Sequence, residues 1–258
     1  MEVVIRPDAD AAAELTARII ADRVRAKPDL VLGLATGRTM EPVYDRLAAM
    51  DLNFSACRTF NLDEYVGVPP QDPQSYRRYM NERLFERINI RLANTHVPNG
   101  VAADLGAEVA SYERRIKEAG GIDLQLLGIG EDGHIGFNEP LSALMSRTRE
   151  KALTPKTRQQ NAGMFGDDPK RVPTRALTMG VGTILEAREL LLIATGGPKA
   201  EILAKAVEGP ITAMISASAL QLHPRCKVIV DQAAASSLTQ REYYDWIFAN
   251  EPEWQAYR

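Results

Sequence analysis

Two short segments put acids, an imidazole and glycines where proton transfer would need them. The first, Thr59-Phe60-Asn61-Leu62-Asp63-Glu64-Tyr65-Val66-Gly67, carries an apolar run onto a pair of carboxylates. The second runs Gly128-Ile129-Gly130-Glu131-Asp132-Gly133-His134 and on through Ile135-Gly136-Phe137-Asn138-Glu139-Pro140. It sets one of the 3 histidines between acids. A strand-end carboxylate partly withdrawn from water suits proton abstraction next to a carbonyl or imine. A carboxylate bonded to an imidazole fixes its tautomer and raises its basicity, and glycine lets backbone approach a ligand closely. The bland alternatives are a turn cap for Asp63 and a solvated turn for His134. Both segments in one chain, each closing a buried-type strand, favour a site. Asp63, Asp132, His134 and Glu139 are its candidate catalytic residues.

A metal on Asp132, His134 and Glu139 is a weaker reading. No cysteine or second histidine joins them, and their spacing matches no zinc signature. No metal is expected. A serine hydrolase of the Gly-x-Ser-x-Gly type is excluded, because that elbow is missing. A third constellation, Thr36-Gly37-Arg38-Thr39, lies between a buried-type strand and a helix. Backbone amides and the positive helix end would favour an anion there, with two hydroxyls as further donors. It is neither a P-loop nor a dinucleotide fingerprint. Lys199, just after Thr195-Gly196-Gly197, would bring a second cation to the same place.

The elements that must position these groups alternate along the chain. Strands are expected at Val3–Ile5, Leu30–Ala35, Arg58–Leu62, Leu124–Ile129, Leu190–Ala194 and Lys227–Val230. Helices are expected near Ala11–Ala26, Glu41–Met50, Ser75–Arg87, Leu105–Ala119, Lys199–Val207 and Ala233–Leu238. Asp8 or Asp10 would cap the first helix, whose Leu15, Ile19, Ile20 and Val24 recur at helical spacing. Strands alternating with helices predict an α/β fold with a mainly parallel sheet. Four strands end in a glycine or acid turn, at residues 35–37, 61–64, 128–132 and 194–197. In such sheets ligands bind beyond the carboxyl ends of the strands, so these turns should converge on one crevice. The polar segment from about 146 to 173 could be a lid over it or an inert surface excursion.

With 258 residues, 45% hydrophobic and 25% charged, the chain has the composition of a soluble globular protein. A net charge of −3 gives no electrostatic reason to expect nucleic acid or an anionic membrane as partner. No run is long or apolar enough to span a membrane. The first residues do not read as a signal peptide. Cys57 and Cys226 read as buried free thiols, which fits a reducing, cytoplasmic setting.

Over nearly its whole length the chain resembles the glucosamine-6-phosphate deaminases, also called glucosamine-6-phosphate isomerases. The segments that carry the resemblance are Leu32-Gly33-Leu34-Ala35-Thr36-Gly37, the run from Asn61 to Gly67, Ser75-Tyr76, the run from Gly130 to Pro140, Ser146-Arg147-Thr148, Ala176-Leu177-Thr178-Met179-Gly180 and Leu220-Gln221-Leu222-His223-Pro224. The resemblance implies a Rossmann-like three-layer sandwich over residues 1–258, one domain with its lid at about 146–173. It implies no metal or organic cofactor. The implied reaction turns glucosamine 6-phosphate and water into fructose 6-phosphate and ammonia, in amino sugar metabolism. Asp63 would move a proton from C2 to C1 of the open-chain sugar, and His134 would serve ring opening. Asp132 and Glu139 would orient and tune His134. Thr36, Gly37, Thr39 and Lys199 fall at phosphate-binding positions.

Three positions depart from the family pattern: Arg38 where a second glycine is usual, Met40 where proline is usual, and Gly163 where the lid pattern has a phosphate-binding arginine. All fall at the anion end of the substrate. Arg38 could replace the missing charge, re-shape the pocket for another anion, or point to solvent. Ser142, Arg149 and Lys151 match an allosteric site found in some hexameric members, while Ala143 and Ala152 do not. The aromatic tail Tyr243-Tyr244-Asp245-Trp246-Ile247-Phe248 could pack against a neighbour in a homo-oligomer or finish the core. The rival readings are a related isomerase or deaminase with an altered anion pocket, a 6-phosphogluconolactonase, and a non-catalytic sugar-phosphate sensor.

Overall fold

A computed structural model describes residues 1–258. The strands are β1 (Glu2–Arg6), β2 (Val31–Leu34), β3 (Arg58–Asn61), β4 (Asp63–Tyr65), β5 (Thr95–His96), β6 (Leu124–Leu127), β7 (Arg149–Ala152), β8 (Arg175–Thr178), β9 (Glu189–Ala194) and β10 (Cys226–Asp231). The helices are α1 (Ala9–Ala26), α2 (Glu41–Ala49), α3 (Tyr76–Arg83), α4 (Leu105–Glu118), α5 (Pro155–Asn161), α6 (Val181–Leu185), α7 (Ala200–Val207) and α8 (Arg241–Asn250). Seven strands form one parallel sheet in the order β1-β10-β9-β6-β2-β3-β5. Every residue of β2, β6, β9 and β10 is buried, so both faces of the sheet are covered, as parallel sheets require. The expected three-layer α/β arrangement is the one observed.

Local signals explain half of the helix starts. Asp8 caps α1 by accepting from Ala11 N, Ser75 caps α3 and Asp104 caps α4. Thr154 caps α5, with Pro155 at the first helical position where a missing N–H costs nothing. The expected helix to Arg87 stops at Leu84 (φ −140°) and resumes as a 3-10 turn, Phe85–Arg87. Leu84 and Phe85 are both in the core, so packing decides the break. The expected helix Ala233–Leu238 is a 3-10 turn, Ala234–Ser237.

A second sheet of three antiparallel strands, β4-β8-β7, stands beside the first. It has its own small core, which includes Tyr65, Tyr76, Phe137, Ala162, Phe165 and Val172. Residues 149–152 of the polar segment belong to this sheet as β7. Residues 155–165 form α5 and a 3-10 turn, anchored in the small core through Ala162 and Phe165. Cys57 and Cys226 are free and buried, and burial raises their pKa to about 11 and about 12. In the tail, Trp254 and Tyr257 are buried, whereas Tyr243 and Trp246 stay exposed. No helix is long and apolar enough to cross a membrane.

Candidate active site

The strand order reverses direction between β2 and β6: the chain continues from β2 outward to β3 and β5, while β9 and β10 lie beyond β6. Such a switch point opens a crevice at the carboxyl ends of the strands. The four turns singled out in the sequence follow β9, β6, β2 and β3, four adjacent strands around this point.

Asp63 opens β4, directly after the bend that ends β3, and lies opposite Thr178 of β8. It is 5% exposed. Burial, with the adjacent Glu64 charge second, raises its pKa to about 8, and no hydrogen-bond donor offsets either. Its carboxylate borders Gly136: a Cβ there would lie 3.5 Å from Asp63 Oδ2 and 3.0 Å from Thr178 Oγ1, at a φ of +56°. The capping role weighed for Asp63 belongs instead to Glu64. Its Oε1 accepts from Tyr65 N and Tyr76 N, and its Oε2 from Ser75 Oγ and Arg77 N.

The loop after β6 folds back on itself, Gly130 N donating to His134 O and Gly133 N to Gly130 O. His134 is buried, and its ring lies on the Gly130 backbone, where a Cβ would come within 2.3 Å of the ring. His134 Nδ1 is 2.6 Å from Asp132 Oδ1. Burial alone would raise the Asp132 pKa; the His134 ring beside it outweighs burial and lowers the pKa to about 2. Glu139, 2% exposed, accepts from Thr154 N (2.9 Å) and Thr154 Oγ1 (3.3 Å), tying this loop to the start of α5. The ligand-type atoms of Asp132, His134 and Glu139 lie within 4.8 Å of one another.

Two turns of like sequence flank this centre. After β2, Ala35-Thr36-Gly37 enters a 3-10 turn, Arg38–Met40, with Gly37 at φ +132°. After β9, Ala194-Thr195-Gly196 enters Gly197–Lys199, with Gly196 at φ +88°. Tyr79 donates to Gly37 O at 2.9 Å, while the Tyr76 hydroxyl donates to the Tyr65 hydroxyl. In the second turn the Gly196 amide is taken by Asp231 at 3.0 Å, and Lys199 closes the 3-10 turn. Burial lowers the Lys199 pKa, while Glu131 and Asp132 pull it the other way. Arg38 is exposed and carries no ion pair, Thr39 is half-buried, and Gly163 is exposed on the 3-10 turn after α5. The buried Met40 fills the space beside Gly128, where a Cβ would lie 3.0 Å from its Cε.

The fold therefore gathers the predicted acids, histidine, anion turn and lysine at one end of the parallel sheet. It adds groups the sequence reading did not assign: Glu64 under Asp63, Thr154 on Glu139, and Asn138, which is fully buried and donates to Ile135 O and Met179 O. The Thr154-Pro155 pair was a legible helix-start signal. Arg149 turns to Asn138 Oδ1 and Ser142 Oγ.

A doubly covered parallel sheet with an acid–imidazole pair and a glycine turn at its switch point defines a Rossmann-like class of α/β proteins. The chain belongs to the family of glucosamine-6-phosphate isomerases/6-phosphogluconolactonases, whose model matches residues 8–228. A glucosamine-6-phosphate deaminase of Streptomyces coelicolor is 49% identical, with 99% of each chain covered. One of an Arthrobacter species is 51% identical at the same coverage. The solved structure of a monomeric glucosamine-6-phosphate deaminase superposes with a TM-score of 0.90 at 44% identity, covering 92% of this chain and 100% of that one. The 6-phosphogluconolactonase of Thermotoga maritima, at 21% identity and a TM-score of 0.71, covering 90% of this chain and 99% of that one, shares the fold.

Proposed function

We propose that this protein converts glucosamine 6-phosphate and water into fructose 6-phosphate and ammonia. The observation that carries the reading is the Asp63 carboxylate, buried, without a donor and poised at a pKa of about 8, at the crevice end of the same sheet as the Asp132–His134 pair. A base should titrate near the working pH, and Asp63 does. His134, fixed by Asp132, moves a proton between O1 and the ring oxygen, which opens the sugar ring. Asp63 then takes the proton from C2; the electron pair forms the C1=C2 bond, and O1 takes up the proton that the substrate's ammonium group gives through His134, which completes the enol. Asp63 returns the proton to C1, which leaves an imine at C2. Water adds to that imine and ammonia departs. The net reaction consumes water, hence a hydrolase as well as an isomerase step.

The phosphate is assigned to the amides and hydroxyls of Thr36, Gly37 and Thr39, with Lys199 and the unpaired Arg38 as cations. Residues 1–258 act as one unit, with 146–173 covering the crevice through α5. At 44–51% identity over nearly full length, the deaminases support this reading above the lactonases, at 17–21%. The test is an ammonia-release assay over amino sugars bearing 6-phosphate, 6-sulfonate, 6-carboxylate or no charged group. Turnover confined to the phosphate bears the reading out; release of acid from a 6-phosphogluconolactone without ammonia chemistry would overturn it.

A further inference from the structure

We propose that Glu64 is a positioning residue of this reaction: a buried carboxylate, saturated by donors, that holds Asp63 a strong base and fixes α3 against the anion turn. The inference rests on the reading of Asp63 as the base. Glu64 is 2% exposed. Both of its oxygens are saturated by donors: Tyr65 N at 2.9 Å and Tyr76 N at 3.1 Å on Oε1, Ser75 Oγ at 2.7 Å and Arg77 N at 3.0 Å on Oε2. Three of the four are backbone amides, which cannot turn around to accept. Burial raises the Glu64 pKa and the four donors lower it; a proton on either oxygen would displace one of them, so the donors hold the group a carboxylate. The positive end of α3 favours the same charge.

No cation pairs with this charge, although the Arg77 guanidinium senses it. Arg77, from α3, directs its guanidinium to Thr95 Oγ1 (2.7 Å) and Thr95 O (2.8 Å). The titratable groups that sense Asp63 are Glu64 and Tyr65 on its own strand, Tyr76 on α3 and Tyr112 on α4. Burial raises the pKa of all three phenols, which keeps them neutral. Thr178 of β8 and Gly136 bring no charge. Asp63 therefore has one charged neighbour, of its own sign. When the C2–H bond breaks and the proton forms an O–H bond on Asp63, the repulsion between the two carboxylates is relieved. Glu64 itself takes no proton.

The same helix reaches the substrate's other end. Tyr79 donates to Gly37 O at 2.9 Å. Glu64 thus grips the start of the helix whose Tyr79 holds the anion turn, so its loss should show in KM as well as in the pH profile.

The experiment pairs Glu64→Gln with Ser75→Ala. Each removes a hydrogen bond at the start of α3 and lowers the melting temperature, but only the first removes the charge. The acid limb of kcat/KM should move down by about one pH unit or more in Glu64→Gln and stay in place in Ser75→Ala. An unmoved limb in a folded Glu64→Gln overturns the proposal. Carboxyl carbon NMR on the wild type decides the matter where that variant does not fold. Glu64 should stay ionised between about pH 6 and 9 while Asp63 titrates; proton uptake by Glu64 first overturns the proposal. If Asp63→Asn retains turnover, the reading of the base fails, and the NMR result still stands by itself.

Discussion

Asp63 and Asp132 are aspartates at the carboxyl ends of neighbouring parts of one sheet, yet their surroundings drive them apart. Asp63 is buried beside a like charge with no donor, and titrates near 8. Asp132 lies against His134, and titrates near 2. Two carboxyls pushed to opposite sides of neutrality can divide acid–base work between them. The difference lies in the partners. The bend after β3 delivers Asp63 into a crevice with nothing to bond, whereas the glycine loop after β6 folds an imidazole onto Asp132.

The most direct way to break this contrast is Asp63→Asn. It should lower turnover by about 10²–10⁴-fold with substrate binding retained, and it should abolish incorporation of solvent deuterium at C1, read by NMR. Turnover within a few-fold of wild type would remove Asp63 from the mechanism. His134→Gln, the next largest effect, should cost about 10²-fold on the ring-closed sugar and far less on an open-chain analogue. Equal losses on both would deny it the ring-opening task. Gly130→Ala should mimic this loss, since a Cβ there lands on the imidazole.

At the anion end the expected change is smaller. Arg38→Gly should raise KM for glucosamine 6-phosphate about 10-fold, the size of one charge-assisted hydrogen bond. Adding Gly163→Arg should recover part of it. The structure has space for that side chain, because a Cβ at Gly163 meets only Asp167 Oδ1, at 3.8 Å. Improved KM in the single variant would show that Arg38 shapes the pocket for a different anion.

The smallest effects are on stability, and they have opposite signs. The folded protein holds the Asp63 proton more tightly than the unfolded chain does. Stability from this group is therefore full below the ordinary carboxylate range and is lost as pH rises through about 8. Asp63→Asn should raise the melting temperature at pH 8 by at least about 2 °C. For Asp132 the stabilisation is present above the ordinary range and lost as pH falls toward about 2. Asp132→Asn should lower the melting temperature at neutral pH and change little in strong acid. Melting curves across pH that shift the same way for both variants would contradict the contrast.

The crevice was legible because its strands are largely apolar runs that stop at glycine or acid, as in Leu30–Ala35 and Leu124–Ile129. Those runs can only be buried on both faces, and their ends must then meet. The second sheet was not legible. Its strands β4 and β7 read Asp63-Glu64-Tyr65 and Arg149-Glu150-Lys151-Ala152, with no apolar alternation to mark them. Pairing on either side of β8 makes them strands, a tertiary effect that outweighs propensity. Glu64 escaped for a related reason. Its donors come from residues 65 and 75–77, and the loop that returns Ser75 to it is a matter of packing.

The ends of the seven-stranded sheet bear on how the protein behaves when crowded. An edge strand exposes unpaired backbone groups that can recruit another chain. Here one edge, β5, is two residues long, too short to template a partner. The other, β1, is full length but lies against α8. Beyond that helix the final turn buries Trp254 against Phe248 and Tyr257, and Arg258 bonds the Phe248 and Glu251 carbonyls. The last residues of the chain thus guard its first strand. Trimming them should yield a protein that still builds its crevice but self-associates through the uncovered edge.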